Sequence, residues 1–223
     1  MNKTALITGA SKGIGKALAE KMLDEGYHVI GTSRSGDIDI KHAHFKALAL
    51  DVSNATSIEH AHGQIFSTYK QIDVLINNAG IGPDLHLDHP EADTFDLTFD
   101  VNVKGVVFFT EALIKLVPKD GKIINVSSKM GSLEVCEKYS SVAYRMSKSA
   151  LNMYTKILAN RLKDNIHIAC IHPGWVQTTI IESNLVNATL TPEESANRIY
   201  RFISSHFKTG VYWDCEDNLE LPW

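Results

Sequence analysis

Short apolar and β-branched runs recur along the chain: TALIT (4–8), YHVIGT (27–32), ALALDV (47–52), DVLIN (73–77), KIINVS (122–127), HIACIH (167–172) and VYWDC (211–215). Each has the length of a strand. Between most of them lie longer segments whose apolar residues return at helical spacing, over 14–25, 55–69, 94–116, 143–162 and 191–205. Buried strands alternating with amphipathic helices predict an α/β fold: one doubly wound domain over residues 1–223, with a mostly parallel sheet of about seven strands and helices on both faces. Helix punctuation agrees. TPEE at Thr191 offers an N-cap hydroxyl, a proline at the first helical position and acids in the first turn, where the helix dipole favours negative charge.

Composition narrows the function more than the fold. The chain has 223 residues, 44% hydrophobic and 22% charged, with a formal net charge of −4. That balance suits a packed core and gives no overall pull toward nucleic acid or an anionic membrane. The longest apolar runs are too short to span a bilayer, and Met1 runs almost directly into a strand without a leader pattern, so the expected location is cytoplasmic. Cys136, Cys170 and Cys215 are an odd number without CxxC spacing, which suggests neither a disulfide framework nor a zinc knuckle. His42, His44, His60, His62, His86 and His89 form HxH-like pairs without a third ligand at recognisable spacing; no metal is expected.

The first strand leads into GASKGIG, where Gly9, Gly13 and Gly15 punctuate the turn that opens a helix. Glycines there let the backbone, with the amides of Ser11, Lys12 and Ile14, approach a pyrophosphate at the helix N-terminus, as in Rossmann dinucleotide sites. The spacing is G-x3-G-x-G, so alone it also suits a plain tight connection. The next strand ends in Ser33 and Arg34 rather than an acid; a hydroxyl followed by a guanidinium suits a ribose 2′-phosphate, which Lys12 could also reach, and this favours NADP(H). Asp51 and Val52 end a strand where an adenine would lie. Asn78, Ala79 and Gly80 follow another strand, where a nicotinamide ribose would lie, although Asn and Gly also dominate ordinary turns.

Tyr144 and Lys148 stand at i and i+4, one turn apart on the same helix face. A free phenol titrates near about 10 and is a poor acid or base at neutral pH. A nearby ammonium favours phenolate and is expected to lower that value. Of the seven tyrosines only Tyr144 has a lysine four residues on. Ser128 ends strand KIINVSS at the sheet edge where ligands of such folds gather, and Asn102 sits inside a helix, where an amide holds a water or a backbone group better than it forms helix. After HIACIH, Pro173 and Gly174 turn the chain away; Val176 backbone groups and the Thr178 hydroxyl are placed to grip a carboxamide.

Together TGASKGIG (8–15), NNAG (77–80), Asn102, the serine-ended strand and Y-x-x-x-K (144–148), in this order, resemble the short-chain dehydrogenase/reductase family from Thr4 nearly to the C-terminus. YRMSKSALN, HPGWVQT and the terminal LELPW resemble its C-factor-like and sniffer-type carbonyl reductase branch. The resemblance implies Tyr144 as general acid, Lys148 as the residue that lowers its pKa and binds the nicotinamide ribose, Ser128 as the group polarising the carbonyl, and Asn102 as the anchor of a proton-relay water. The implied activity is NADPH-dependent interconversion of aldehydes or ketones with alcohols, on a small-molecule substrate, by a possible homodimer or homotetramer.

Two departures qualify this. Ser128 lies farther before Tyr144 than is usual for the family, which makes Ser132 a rival, and QTT (177–179) replaces the branch's usual KTD. The segment 174–190 is short for a substrate lid, and Cys136, Glu137, Trp175 and Ile181 are its candidate lining. A nucleotide-binding signalling or interaction protein of the same fold is the alternative function.

Overall fold

The computed structural model describes residues 3–223. Strands β1 (Thr4–Ile7), β2 (His28–Ser33), β3 (Phe45–Ala49), β4 (Val74–Asn77), β5 (Gly121–Val126), β6 (Ile166–His172), β7 (Val211–Asp214) and β8 (Leu219–Glu220) form one sheet in the order β3-β2-β1-β4-β5-β6-β7-β8. All neighbours run parallel except the β7–β8 pair. The strand order reverses between β1 and β4, the switch point at which doubly wound sheets open a crevice at their carboxyl ends. The eighth strand exceeds the expected seven. It is two residues long and carries no alternation that a sequence pattern could register.

Helices α1 (Gly13–Asp24) and α7 (Pro192–Ser204) cover one face, where Leu18, Met22, Ile199 and Ile203 pack on Ile7, Ile76 and Ile171. Helices α2 (Ala55–Thr68), α3 (Ala92–Phe99), α4 (Val106–Leu113), α5 (Val142–Leu162) and the single turn α6 (Asn184–Asn187) complete the helices. Residues of α2, α4 and α5, including Ile65, Phe109, Leu113, Leu151 and Leu158, pack on Leu6, Leu75, Ile123 and Ile168 across the other face. Each such side chain taken fully from water contributes about 1.5–3 kcal/mol, and these apolar stripes fix which way α1, α2, α4, α5 and α7 turn. At α7 the signalled start is present: Thr191 accepts from the Glu194 amide at 3.2 Å, Glu194 accepts from the Thr191 amide at 2.8 Å, and Pro192 follows the cap.

The helix expected over 94–116 is interrupted. Between α3 and α4 the backbone passes through a π-helical turn, Asp100–Gly105, and ends in a 3-10 turn at Ile114–Leu116. The wider turn contains Asn102, whose amide is tied to another segment rather than to its own helix. Such turns often accompany functional sites.

Candidate active site

The glycine turn is bound on two sides. The amide of Ala10 donates to the Thr32 carbonyl at 2.8 Å, while Asn78 Nδ2 donates to the carbonyls of Thr8 (2.9 Å) and Gly9 (3.1 Å). Thr8 Oγ1 accepts from the amides of Asn78 and Ala79, both at 3.0 Å. Gly9 and Gly13 adopt φ of +70° and +55°, and a Cβ on Gly15 would stand 2.2 Å from the Gly9 carbonyl oxygen. Only glycine fits that approach. Helix α1 starts directly after this turn with no side-chain cap from Lys12, which leaves its first amides for another acceptor. This cradle of free N–H groups, floored by glycine, fits the pyrophosphate of a dinucleotide.

The flanks of the cradle depart from expectation at one point. Arg34 is exposed and Ser33 buried, with the Ser33 hydroxyl donating to the Asp37 carbonyl at 3.2 Å. Lys12, expected to share an anion with Arg34, instead donates from Nζ to Thr179 Oγ1 at 2.7 Å. A hydroxyl within reach satisfies the exposed ammonium and ties the glycine turn to the segment after β6. In that segment Thr178 faces the turn, its Cγ2 lying 3.3 Å from the position of a Cβ on Gly13. Val176 is buried and bridges Leu190, and the Pro173 carbonyl accepts from Ser195 Oγ at 2.7 Å. At the far end Asp51 Oδ1 accepts from the amide (2.9 Å) and hydroxyl (2.6 Å) of Ser53, leaving Oδ2 as the oxygen that would take an amino group; Val52 beside it is buried.

The expected catalytic groups meet at the carboxyl ends of β4 and β5. A Cβ on Gly80 would lie 3.4 Å from Lys148 Nζ and 3.3 Å from Asn102 Oδ1, so the NNAG segment, the π turn and α5 converge on one point. Asn102 Oδ1 accepts from the Ile81 amide at 2.9 Å, and its Nδ2 donates to the Ile81 carbonyl at 2.8 Å and to Ser147 Oγ at 3.1 Å. Of the two partners foreseen for this amide, it holds the backbone group. Lys148 Nζ donates to the Val126 carbonyl at 2.9 Å and lies 5.5 Å from the centroid of the Tyr144 ring.

The electrostatics revise one expectation. Burial pushes the Tyr144 phenol up to about 12; the Ser128 hydroxyl facing it pulls the value back, and the Asp84 carboxylate raises it further. Burial also pushes Lys148 down to about 8. Desolvation therefore sets the direction, and Lys148, whose ammonium is directed at a backbone carbonyl, does not supply the expected lowering. Of the rival serines, Ser128 faces the phenol and accepts from the Met130 amide at 3.2 Å, whereas Ser132 donates to the Trp223 carbonyl at 3.3 Å, tying its loop to the C-terminus. Cys136, Glu137 and Trp175 are exposed, and the Trp175 indole donates to Asn184 Oδ1 at 3.0 Å.

Two residues of this site escaped the sequence reading. Tyr212, on β7, donates its hydroxyl to the Ser128 carbonyl and so holds the strand end that carries Ser128. Asp84, buried in the loop after β4, accepts from the Tyr144 amide through both carboxylate oxygens. Neither has a local signal: a tyrosine in a strand reads as core, and PD in a loop reads as turn chemistry.

Residues 3–188 match the family profile described as short chain dehydrogenase. The chain belongs to this family. Among its relatives, an uncharacterized oxidoreductase of Schizosaccharomyces pombe is 33% identical over 207 residues, which is 89% of this chain and 69% of that protein. A 3-oxoacyl-[acyl-carrier-protein] reductase of Salmonella typhimurium is 32% identical over 184 residues, covering 79% of this chain and 74% of that one. Among solved short-chain dehydrogenase structures, one from Burkholderia multivorans with bound NADP superposes with a TM-score of 0.86 at 27% identity, and the carbonyl reductase Sniffer of D. melanogaster with 0.87 at 26%; both comparisons cover 100% of each chain. Among the described residues no helix is long and apolar enough to cross a membrane, and no three His, Cys, Asp or Glu side chains gather as metal ligands.

Proposed function

We propose that this short-chain dehydrogenase is an NADPH-dependent oxidoreductase that reduces aldehyde or ketone carbonyls, or oxidises the corresponding alcohols, with Tyr144 as general acid/base. The observation that carries the reading is the convergence of Tyr144, Ser128, Lys148 and Asn102 at the sheet edge beside a glycine cradle. The NADP bound by the Burkholderia multivorans neighbour supports the coenzyme, as does the exposed guanidinium of Arg34 where a ribose 2′-phosphate would lie. When bound, the dinucleotide supplies the hydride.

The chain's own residues do the rest. Ser128 orients and polarises the carbonyl oxygen by donating a hydrogen bond to it. A phenol held near 12 stays protonated at neutral pH, so Tyr144 keeps the proton that the developing alkoxide takes from its oxygen. Lys148, still mainly charged below about 8, favours the phenolate left behind and presents its ammonium beside Gly80, where it would hold a ribose hydroxyl. Asn102 braces the backbone at Ile81 and so the floor of the site.

The test is NADPH consumption, followed by absorbance, across a panel of aliphatic and aromatic aldehydes and ketones, with NADH in parallel. Turnover with NADPH in clear preference to NADH is expected. Inertness across the panel, with NADPH still bound, would replace this reading by a nucleotide-binding interaction protein of the same fold.

A further inference from the structure

Helix α5 begins abnormally. Its N-cap residue, Ser141, sits in the left-handed region at φ 61° and ψ 46°, and its side chain caps nothing in the helix. The Ser141 hydroxyl instead donates to the Leu85 carbonyl at 3.3 Å, and its amide to the Leu87 carbonyl at 2.9 Å. The third amide of the helix, on Tyr144, is the group an N-cap side chain ordinarily satisfies. Here Asp84 accepts from it, with Oδ1 at 3.2 Å and Oδ2 at 3.1 Å, from a segment sixty residues earlier. Asp84 is 1% exposed. A carboxylate buried this completely is retained only where it is paired, and the positive end of a helix is a suitable partner.

The same segment touches the phenol ring. A Cβ on Gly82 would lie 3.0 Å from Tyr144 Cδ2, and Ile81 is clamped by Asn102. Residues 81–87 are thus fixed at one end by the π turn and at the other by the first turn of α5. We propose that Asp84 is a positioning residue for the Tyr144 acid/base: it replaces the missing local cap, seats the tyrosine against the NNAG loop and places a negative charge at the backbone amide of the residue that carries the phenol. The inference rests on the reading of Tyr144 as the proton donor. The other groups facing that phenol are Lys148 on its own helix, Ser128 at the end of β5 and Tyr212 on β7. All three remain when Asp84 is changed, so Asp84 substitutions isolate its share.

Two variants separate cap from charge. Asp84→Asn keeps an oxygen that can accept from the Tyr144 amide but removes the charge; Asp84→Ala removes both. Hydrogen exchange of the Tyr144 amide, read without cofactor or substrate, should remain slow in Asp84→Asn and accelerate at least about tenfold in Asp84→Ala. In alcohol oxidation, which requires the phenolate, Asp84→Asn should move the rising limb of the pH profile to lower pH, giving about threefold more rate at a fixed pH below it. Asp84→Ala should lower kcat while NADPH affinity stays as in the wild type. Wild-type amide exchange in Asp84→Ala would overturn the cap, and an unmoved pH profile in Asp84→Asn would overturn the charge. If Asp84→Ala does not fold, the Asn variant still carries the pH test. If the wild-type protein turns over no substrate, the proposed function fails, while the exchange measurement still decides the role of Asp84.

Discussion

Two buried polar clusters lie on the same side of the sheet, and they are built on opposite principles. In the first, Asn77 on β4 and Asn125 on β5 are paired in register; Asn77 Nδ2 donates to Asn125 Oδ1 and Thr110 Oγ1, both at 2.8 Å, and Asn125 Nδ2 donates to Thr155 Oγ1 at 2.9 Å. All four are at most 2% exposed and none carries a charge. The second cluster, Tyr144 and Lys148, begins about three turns earlier on the helix that supplies Thr155. It is also buried, yet its groups are ionisable and both are shifted by desolvation. These neutral amides exchange water for protein partners at every side-chain atom but Asn77 Oδ1, which is buried without one, and they tie strands to helices. A buried ammonium with a single carbonyl acceptor is costly for the fold. The difference teaches where to look for chemistry: burial alone also shifts core groups such as Cys170, so the pair stands out by being ionisable, buried and set beside the glycine cradle at the carboxyl ends of the strands.

The largest expected effect comes from removing the resisted charge. Lys148→Met should cut turnover by about 10²–10⁴, the range of a lost acid–base contribution, while making the protein more stable at neutral pH. The sign follows from linkage: Lys148 is held at about 8 against an ordinary 10.5. Between those values the unfolded chain holds a proton that the folded one does not, so stability rises with pH across that window. The stabilisation is complete above 10.5 and lost as pH falls through 8. The variant's advantage at neutral pH should therefore reach up to about 3 kcal/mol and close across pH 8 to 10.5, as read by denaturant melts at several pH values.

The neutral cluster should answer in the opposite way. Asn125→Ala leaves Asn77 and Thr155 short of a partner, and the cost is about 1–3 kcal/mol of stability; kcat, measured well below the melting temperature, should stay near that of the wild type. A large loss of kcat without a loss of stability would erase the distinction between the clusters. An exposed charge gives the smallest effect. Arg34→Ala should weaken NADPH binding about tenfold and leave NADH binding unchanged, consistent with the loss of about one charge-assisted hydrogen bond to phosphate. Equal losses for both coenzymes would remove Arg34 from the 2′-phosphate.

What the sequence disclosed follows the reach of its signals. The alternation of strands and helices, the glycine turn, the capping box at Thr191 and the i, i+4 pairing of Tyr144 with Lys148 are each encoded within a few residues. They were legible for that reason. Lys12 could be placed near an anion by spacing, but its bond to Thr179 joins residues 167 positions apart. Asp84 reaches Tyr144 across sixty residues, and Tyr212 reaches Ser128 across eighty-four. The π turn depends on Asn102 finding Ile81 in space. The direction of the Tyr144 shift is illegible in the sequence for the same reason: proximity of Lys148 is local and visible, whereas the burial that sets the shift is a property of the assembled fold.

The claim on which all of this turns is that Tyr144 hands over the proton. Single-turnover reduction of a carbonyl substrate, with NADPH saturating, compares the wild type directly with Tyr144→Phe, which keeps the ring and its packing and removes only the hydroxyl. The account predicts unchanged NADPH affinity and a rate lower by at least about a hundredfold. A Tyr144→Phe protein that binds NADPH normally and reduces the substrate at close to the wild-type rate would contradict it.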